Sequence, residues 1–185
     1  MQRCRQGDAL AWESLVRRFQ SRVYGVAFHY LRDADEARDL AQEVFVRIYQ
    51  RLDTFTGEAF VPWMLRLARN RCIDRLRRVK ARPPATDLPA DEETPLPDPG
   101  PSPEDAWLSD QRKRLVYRAM ERLSEQNREI ILLKEIQGLN LKEIAELLGV
   151  PVGTVKSRSN RARIELARQV VSLDPSYAVP AANQK

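Results

Sequence analysis

The sequence predicts an all-α protein made of two small helical domains joined by a flexible linker rich in proline and acidic residues. Three observations support this prediction. Charged residues make up 31% of the 185 residues and only 7 residues are glycine, and most segments are rich in Leu, Ala, Arg and Glu, which favour helices. Apolar residues recur at three- and four-residue spacing, the period of a helix face. Residues 83–103 interrupt this pattern with eight of the twelve prolines.

The net charge divides the chain at the same place. Residues 1–82 carry a net charge of +7, residues 83–106 a net charge of −7 and residues 107–185 a net charge of +5. Proline removes backbone donors, and an acidic segment that is poor in aromatic residues buries too little apolar surface to fold. The predicted organisation is a first domain over 1–82, an extended linker over 83–103, a second domain over 104–172 and a loose tail over 173–185.

The first domain is predicted to hold three or four helices, and three of them can be placed. The first runs from about Asp8 to Tyr30 along a stripe of apolar residues. The second begins at Asp33, with Glu36 three residues later in a capping-box pattern. A loop containing Gly57 follows, and the third helix begins near Pro62, which suits a first helical turn, and ends before Pro83.

The second domain is predicted to hold four helices, and its last two form a helix-turn-helix. The predicted ranges are 104–123, 125–137, 141–148 and 152–171. Within the turn, Ala145 is small where two helices cross closely, Gly149 allows a positive φ, and Val155 packs back between the helices. This combination of residues and spacing favours a helix-turn-helix over an ordinary helical hairpin.

The last helix is the predicted DNA reader, because its first half is basic and contains no acidic residue. Arginine bonds guanine through two donors and asparagine bonds adenine, and the backbone donors of a first helical turn suit phosphates. Ser159 adds a further short polar side chain. The candidate contact residues are Thr154, Lys156, Ser157, Arg158, Asn160, Arg161 and Arg163.

Several other classes of protein are disfavoured. One histidine and two cysteines, Cys4 and Cys72, are too few for most metal sites or for a disulfide framework, so we expect no metal, no cofactor and inert cysteines. The acidic residues are scattered and no glycine-rich phosphate loop is present, which argues against an enzyme. No apolar run reaches the roughly 20 residues of a membrane span, and the N-terminus lacks the apolar core of a signal peptide. We therefore expect a cytoplasmic protein without membrane insertion.

Four segments together resemble the extracytoplasmic-function group of bacterial sigma factors, the promoter-specificity subunits of RNA polymerase in the sigma-70 family. The resemblance covers about residues 7–80 and 105–168. It is carried by Gly7 through Val16, by Asp33 through Phe45, by Trp63 through Arg78, and by Val152 through Arg158 with Arg161-Ala162-Arg163. The four segments stand in the order that the family shows.

The resemblance implies roles for three surfaces. The second helix is expected to bind core RNA polymerase through Asp39, Gln42 and Glu43. The third helix is expected to meet the melted non-template strand of the −10 promoter element, and the reader helix the −35 duplex. The −10 candidates, which include one aromatic ring for an unpaired base, are Phe60, Arg66, Arg69, Asn70, Asp74, Arg75, Arg77 and Arg78. Asp74 is alternatively a partner that orients Arg77 or Arg78, and Trp63 is more often a core residue.

The resemblance also implies control by an anti-sigma partner that covers both domains. The main alternative is a helix-turn-helix regulator that binds duplex DNA without polymerase, which the last 60 or so residues alone would fit. An RNA-binding helical protein is a further alternative. Binding to core polymerase distinguishes the first interpretation from both others.

Overall fold

The computed structural model describes residues 1–57, 59–80 and 103–178, and all regular elements in these ranges are helical. The predicted all-α class is confirmed. The chain forms two compact units, Met1–Leu96 and Pro97–Lys185, which are described separately below. The helices are α1 (Gln2–Arg5), α2 (Ala9–Leu31), α3 (Ala34–Arg51), α4 (Phe60–Lys80), α5 (Pro103–Glu121), α6 (Glu125–Ile131), α7 (Leu141–Leu148) and α8 (Val152–Leu173). Residues 83–102 of the predicted linker lie outside the described residues.

In the N-terminal unit, α2, α3 and α4 pack against one another around one apolar core. Asp8 caps α2 by accepting a 3.0 Å hydrogen bond from the backbone N–H of Ala11, and Asp33 caps α3 by accepting a 2.8 Å bond from that of Glu36. Most side chains of the apolar stripes of α2, α3 and α4 are buried or half-buried, with Trp12 and Phe19 among the half-buried ones. The most completely buried include Val23, Ala27, Ala37, Val44, Ile48, Leu65 and Ala68.

A short helix that the sequence analysis missed precedes the first predicted one. The α1 residue Cys4 is buried, and the Arg5 guanidinium donates to the carbonyl oxygens of Leu52 and Phe55. These bonds tie the N-terminus to the loop between α3 and α4. A helix of four residues gives no periodic signal, which explains why it was not predicted.

In the C-terminal unit, α7 and α8 form the predicted helix-turn-helix. Asn140 and Glu143 make a reciprocal capping box at the start of α7. Gly149 ends α7 with φ of 69°, as predicted from its place in the turn. Ala145 and Val155 are buried, so each residue of the predicted turn has the role that its size and backbone freedom suggested.

The helix predicted over 125–137 is not one regular α-helix. It is α-helical over Glu125–Ile131 and then widens into a π-helical turn over Leu132–Ile136. Within this turn, the backbone N–H of Gln137 bonds to the carbonyl of Leu132 at 2.9 Å, the five-residue spacing of a π-helix. The apolar pattern is nearly the same for both geometries, so sequence could not distinguish them.

Regular structure also continues into the segment predicted as a loose tail. Helix α8 ends at Leu173, and Asp174 caps a single turn of 3₁₀-helix over Pro175–Tyr177. Hydrogen bonds from the Ser176 hydroxyl and, at 2.9 Å, from its backbone N–H lower the pKa of the Asp174 carboxyl. Residues 179–185 lie outside the described range.

Candidate nucleic-acid interface

The outer face of α8 is a polar and basic stripe. Lys156, Ser157, Asn160 and Arg161 are all exposed and recur at the three- and four-residue spacing of one helix face. Gly153 and Ile164 continue the same face, and Ile164 is 47% exposed. The four polar residues named first are called the reader stripe below. The donors of this stripe face away from the core, because Val155 and Ala162, on the opposite face of the helix, are fully buried.

Three other predicted −35 residues lie at the margins of this stripe. Thr154 and Arg158 are half-buried. Arg163 is exposed but already paired, because its Nε donates to Glu135 Oε1 at 2.7 Å. The reader helix therefore presents fewer unengaged cations than its sequence suggested.

Ser159 is a polar residue of α8 that faces inward. Its side chain is 2% exposed, and its Oγ accepts a 3.0 Å hydrogen bond from Lys134 Nζ on the π-helical turn. Ser159, named above as a short polar side chain of the reader helix, therefore lies on its buried face. A serine hydroxyl on the buried face is tolerated when it is hydrogen-bonded, and Lys134 provides that bond.

Helix α4 carries two classes of basic side chain. Arg66, Asn70, Arg77 and Arg78 are exposed, as is Asp74, which makes no ion pair with Arg77 or Arg78 in the described part of the chain. The other class is half-buried and engaged with α2 and α3. Arg69 Nε donates to the Tyr30 hydroxyl at 3.1 Å, and Arg71 and Arg75 pair with acidic residues of α3.

An aromatic cluster lies at the start of α4. The ring of Phe60 lies 5.3 Å from Phe19 and 5.7 Å from Trp63, measured between centroids, and Phe55 lies 5.0 Å from Trp63. Phe55 is buried, whereas Phe60 and Trp63 are half-buried. Aromatic pairs at these separations stabilise each other beyond their buried area. The half-buried rings therefore combine core packing with a surface on which an unpaired base can stack.

The predicted polymerase-binding residues of α3 also divide into exposed side chains and one that is engaged with another helix. Asp39 and Gln42 are exposed. Glu43 is engaged with α4: its Oε2 lies 2.5 Å from Arg71 Nη2 and its Oε1 lies 3.5 Å from Arg75 Nη1. Arg75 also pairs with Glu36. These two glutamates and two arginines, Glu36, Glu43, Arg71 and Arg75, are called the α3–α4 ion network below.

Sequence reasoning missed this network and the contacts of Lys134 and Glu135. One signal was available, because Glu36 and Glu43 are seven residues apart on α3 and Arg71 and Arg75 are four apart on α4. These spacings place each pair on one helix face. The spacing does not show that the two faces meet, which depends on how α3 packs against α4.

Burial shifts the pKa values of two further titratable groups of the N-terminal unit, His29 and Cys72. Burial, with a smaller contribution from Arg32, lowers the pKa of His29 to about 4, so the imidazole is neutral at physiological pH. Burial raises the pKa of the Cys72 thiol to about 12. Within the described ranges, no three His, Cys, Asp or Glu side chains come together as metal ligands, and none of the helices there has the length and apolarity that a membrane crossing requires.

Family comparison identifies the class of protein that these two surfaces define. Residues 15–82 match the family described as Sigma-70 region 2, and residues 113–166 match Sigma-70, region 4. The first match contains α3 and α4 with their polar and basic faces, and the second contains the helix-turn-helix. The chain is a sigma factor of the sigma-70 family, a subunit that binds core RNA polymerase and directs promoter-specific initiation of transcription.

Individual relatives define the group within that family. The chain is 36% identical over 170 residues to the RNA polymerase sigma-H factor of Pseudomonas aeruginosa, with 88% of each chain covered. It is 36% identical over 179 residues to the ECF RNA polymerase sigma-E factor of Escherichia coli strain K12, with 94% of this chain and 93% of that protein covered. The chain belongs to the extracytoplasmic-function (ECF) group.

Two solved structures share the fold. One is CnrH in complex with the cytosolic domain of CnrY, with a TM-score of 0.61, 25% identity, and 93% of this chain and 94% of that chain covered. The other is the sigma factor RpoE in complex with the anti-sigma factor NepR from Bartonella quintana, with a TM-score of 0.66, 20% identity, and 89% and 98% covered. The all-α architecture is therefore that of known sigma factors.

Proposed function

We propose that the reader stripe of α8 recognises the −35 element as duplex DNA. The observation that carries the proposal is the exposed row formed by Lys156, Ser157, Asn160 and Arg161, with no acidic residue among them. Lys156 and Arg161 supply charge for phosphates or guanine, and Asn160 supplies the amide geometry that matches adenine. Thr154 and Arg158 contribute from the margins of the stripe.

The test of this assignment separates base reading from phosphate contact. Arg161→Ala or Asn160→Ala is expected to weaken binding to the cognate −35 duplex by about 1–3 kcal/mol and to relax the preference at one base pair. Arg112→Ala, on the exposed side of α5, is the matched control for loss of one positive charge. Equal losses on every duplex sequence would make the residue a phosphate contact, and no loss would remove it from the interface.

We propose that α4 meets the −10 element through its exposed side chains, Arg66, Asn70, Arg77 and Arg78, with Phe60 as a stacking surface. Basic residues along one helix neutralise the phosphates of a strand, and exposed ring area accepts an unpaired base. Arg69 and Arg75 support this face through their bonds to Tyr30 and Glu36. Asp74 lies among the exposed residues and is proposed as a polar contact.

We propose that Asp39 and Gln42 bind core polymerase, because both are exposed on α3. Glu43 contributes to the same surface while it also holds Arg71 and Arg75. Asp39→Ala or Gln42→Ala is expected to weaken the affinity for core polymerase without changing the folding stability or −35 duplex binding. Unchanged polymerase affinity in both variants would move the docking surface elsewhere.

We further propose that the chain acts by recognition alone, without catalysis, in the cytoplasm where core polymerase works, and that an anti-sigma partner controls it. The family resemblance supports the partner, as does the similarity to CnrH, which has been solved with a partner bound. A partner that covers both domains would occupy the DNA and polymerase surfaces together. Co-purification with such a partner, followed by loss of transcription when it is added back, tests this proposal.

The decisive experiment is run-off transcription with purified core polymerase over a pool of randomised promoters. Transcription that depends on this chain, with sequencing of the enriched templates, would give the −35 and −10 bases together. Arg161→Ala is expected to change the −35 bases selected, and Asn70→Ala the −10 bases. Retained duplex binding without transcription would contradict the assigned polymerase surface.

A further inference from the structure

We propose that Glu135 is an intramolecular counter-ion that withholds Arg163 from DNA, so that the π-helical turn sets how many cations α8 offers to the phosphate backbone. Glu135 is then a positioning residue of the −35 interface rather than a DNA contact. This inference rests on the proposed binding of duplex DNA by α8.

The contact between these two residues is direct and open to solvent. Arg163 Nε lies 2.7 Å from Glu135 Oε1, and the two side chains are 54% and 38% exposed. An ion pair of this exposure is weak in water, because solvent and salt screen it. Phosphate and carboxylate are both strong acceptors for arginine, so a DNA phosphate would accept from this guanidinium if Glu135 did not hold it.

The π-helical turn holds the Glu135 carboxylate beside Arg163, where it competes with a DNA phosphate for the guanidinium. Lys134 and Glu135 are consecutive in this turn, and they reach Ser159 and Arg163, which are four residues apart on α8. The partly buried bond from Lys134 Nζ to Ser159 Oγ anchors the turn to the inner side of the reader helix. Lys134 Nζ is 3.9 Å from Glu135 Oε1, so the carboxylate lies between two cations and Arg163 is the nearer.

Arg163 lies next to the reader stripe. It follows Asn160 by three residues and Lys156 by seven, and side chains at these spacings are neighbours on a helix surface. A DNA phosphate that contacts Lys156 and Asn160 is therefore also close to Arg163. Whether the guanidinium binds that phosphate depends on Glu135, the acidic group that holds it.

Salt-dependent duplex binding by the full chain tests the proposal. A fluorescently labelled 30-base-pair duplex is titrated with wild type, Glu135→Gln, Arg163→Gln and the double variant at several salt concentrations. Glu135→Gln is expected to bind about two- to fivefold more tightly near 0.1 M salt, the worth of an exposed ion pair, and to steepen the plot of log affinity against log salt by about 0.9, the effect of one added phosphate contact. Arg163→Gln should cancel both changes in the Glu135→Gln background and cause little change in the wild-type background.

Each other outcome has a defined meaning. An unchanged or weaker affinity of Glu135→Gln would overturn the proposal, and so would an equal gain from Glu125→Gln, which removes the same charge from an exposed position at the start of α6. A shallower salt slope for Arg163→Gln in the wild-type background would show that Arg163 already binds DNA. Failure of the wild-type chain to bind the duplex at all would instead contradict the proposed −35 function.

Discussion

Glu43 is predicted to stabilise the N-terminal unit through the α3–α4 ion network, in addition to any contact with polymerase. Its carboxylate lies 2.5 Å from one arginine, Arg71, and 3.5 Å from another, Arg75. Arg71 is only 18% exposed, so Glu43→Gln leaves a largely buried guanidinium without its counter-ion.

The expected magnitude follows from the exposure of the two partners. Removing one member of a fully buried pair costs about 3–5 kcal/mol, and removing one from an exposed pair costs less than about 1 kcal/mol. Glu43 is 41% exposed, so solvent screening lowers the cost of its loss to about 1–2 kcal/mol. The matched control is Asp39→Asn, four residues earlier on the exposed face, for which we expect a change within about 0.5 kcal/mol.

Urea denaturation followed by tryptophan fluorescence measures this effect. Trp12 and Trp63 report on the N-terminal unit, and a Trp107→Phe background removes the signal from the other unit. For a slope of about 1–3 kcal/mol per molar urea, the midpoint of Glu43→Gln should fall by several tenths of a molar or more. Equal midpoints for Glu43→Gln and Asp39→Asn would refute the reasoning and would make Glu43 a surface residue like Asp39.

Three further predictions concern groups away from the DNA surfaces. Because burial lowers the pKa of His29 from 6.5 to about 4, the unfolded chain binds the proton more tightly, and stability should fall as the pH drops from about 6.5 to about 4. This loss of unfolding free energy is at most about 3 kcal/mol. Urea midpoints measured between these pH values should show it for the wild type and not for His29→Gln. Cys72, whose pKa burial raises to about 12, should react with a thiol reagent at pH 8 only as fast as the unit unfolds; rapid labelling of the native protein would contradict its burial. Gly149→Ala should lower the stability of the C-terminal unit by about 1–2 kcal/mol through backbone strain at φ of 69° alone, because an added Cβ meets nothing within 4 Å. Gly149→Asn should lose less in thermal melts, because asparagine tolerates the left-handed conformation.

The polar side chains show where the candidate site could be predicted and where it could not. Lys156, Asn160 and Arg161 were predicted on the outer face of the reader helix, and they lie there. Ser159 and Arg163 belong to the same basic segment, yet one is buried and the other is paired. Ser159 follows Val155 by four residues and shares its buried face, a position that helical spacing could have shown. The pairing of Arg163 depends on Glu135, which reaches α8 from a turn whose π-helical geometry the sequence pattern does not distinguish from an α-helix.

The sequence by itself determined the longer helices and the turn between α7 and α8, because these depend on local chemistry, but it showed neither α1 nor the π-helical turn. Helical periodicity, the caps at Asp8, Asp33 and Asn140, and the positive φ of Gly149 involve residues only a few positions apart. The tertiary structure alone decided which charges remain available to a partner. Glu43 meets Arg71 across 28 residues of chain, and Glu135 meets Arg163 across 28. Such pairs form only when two helices pack at a particular register, and that register depends on the shape of the whole core rather than on any local pattern.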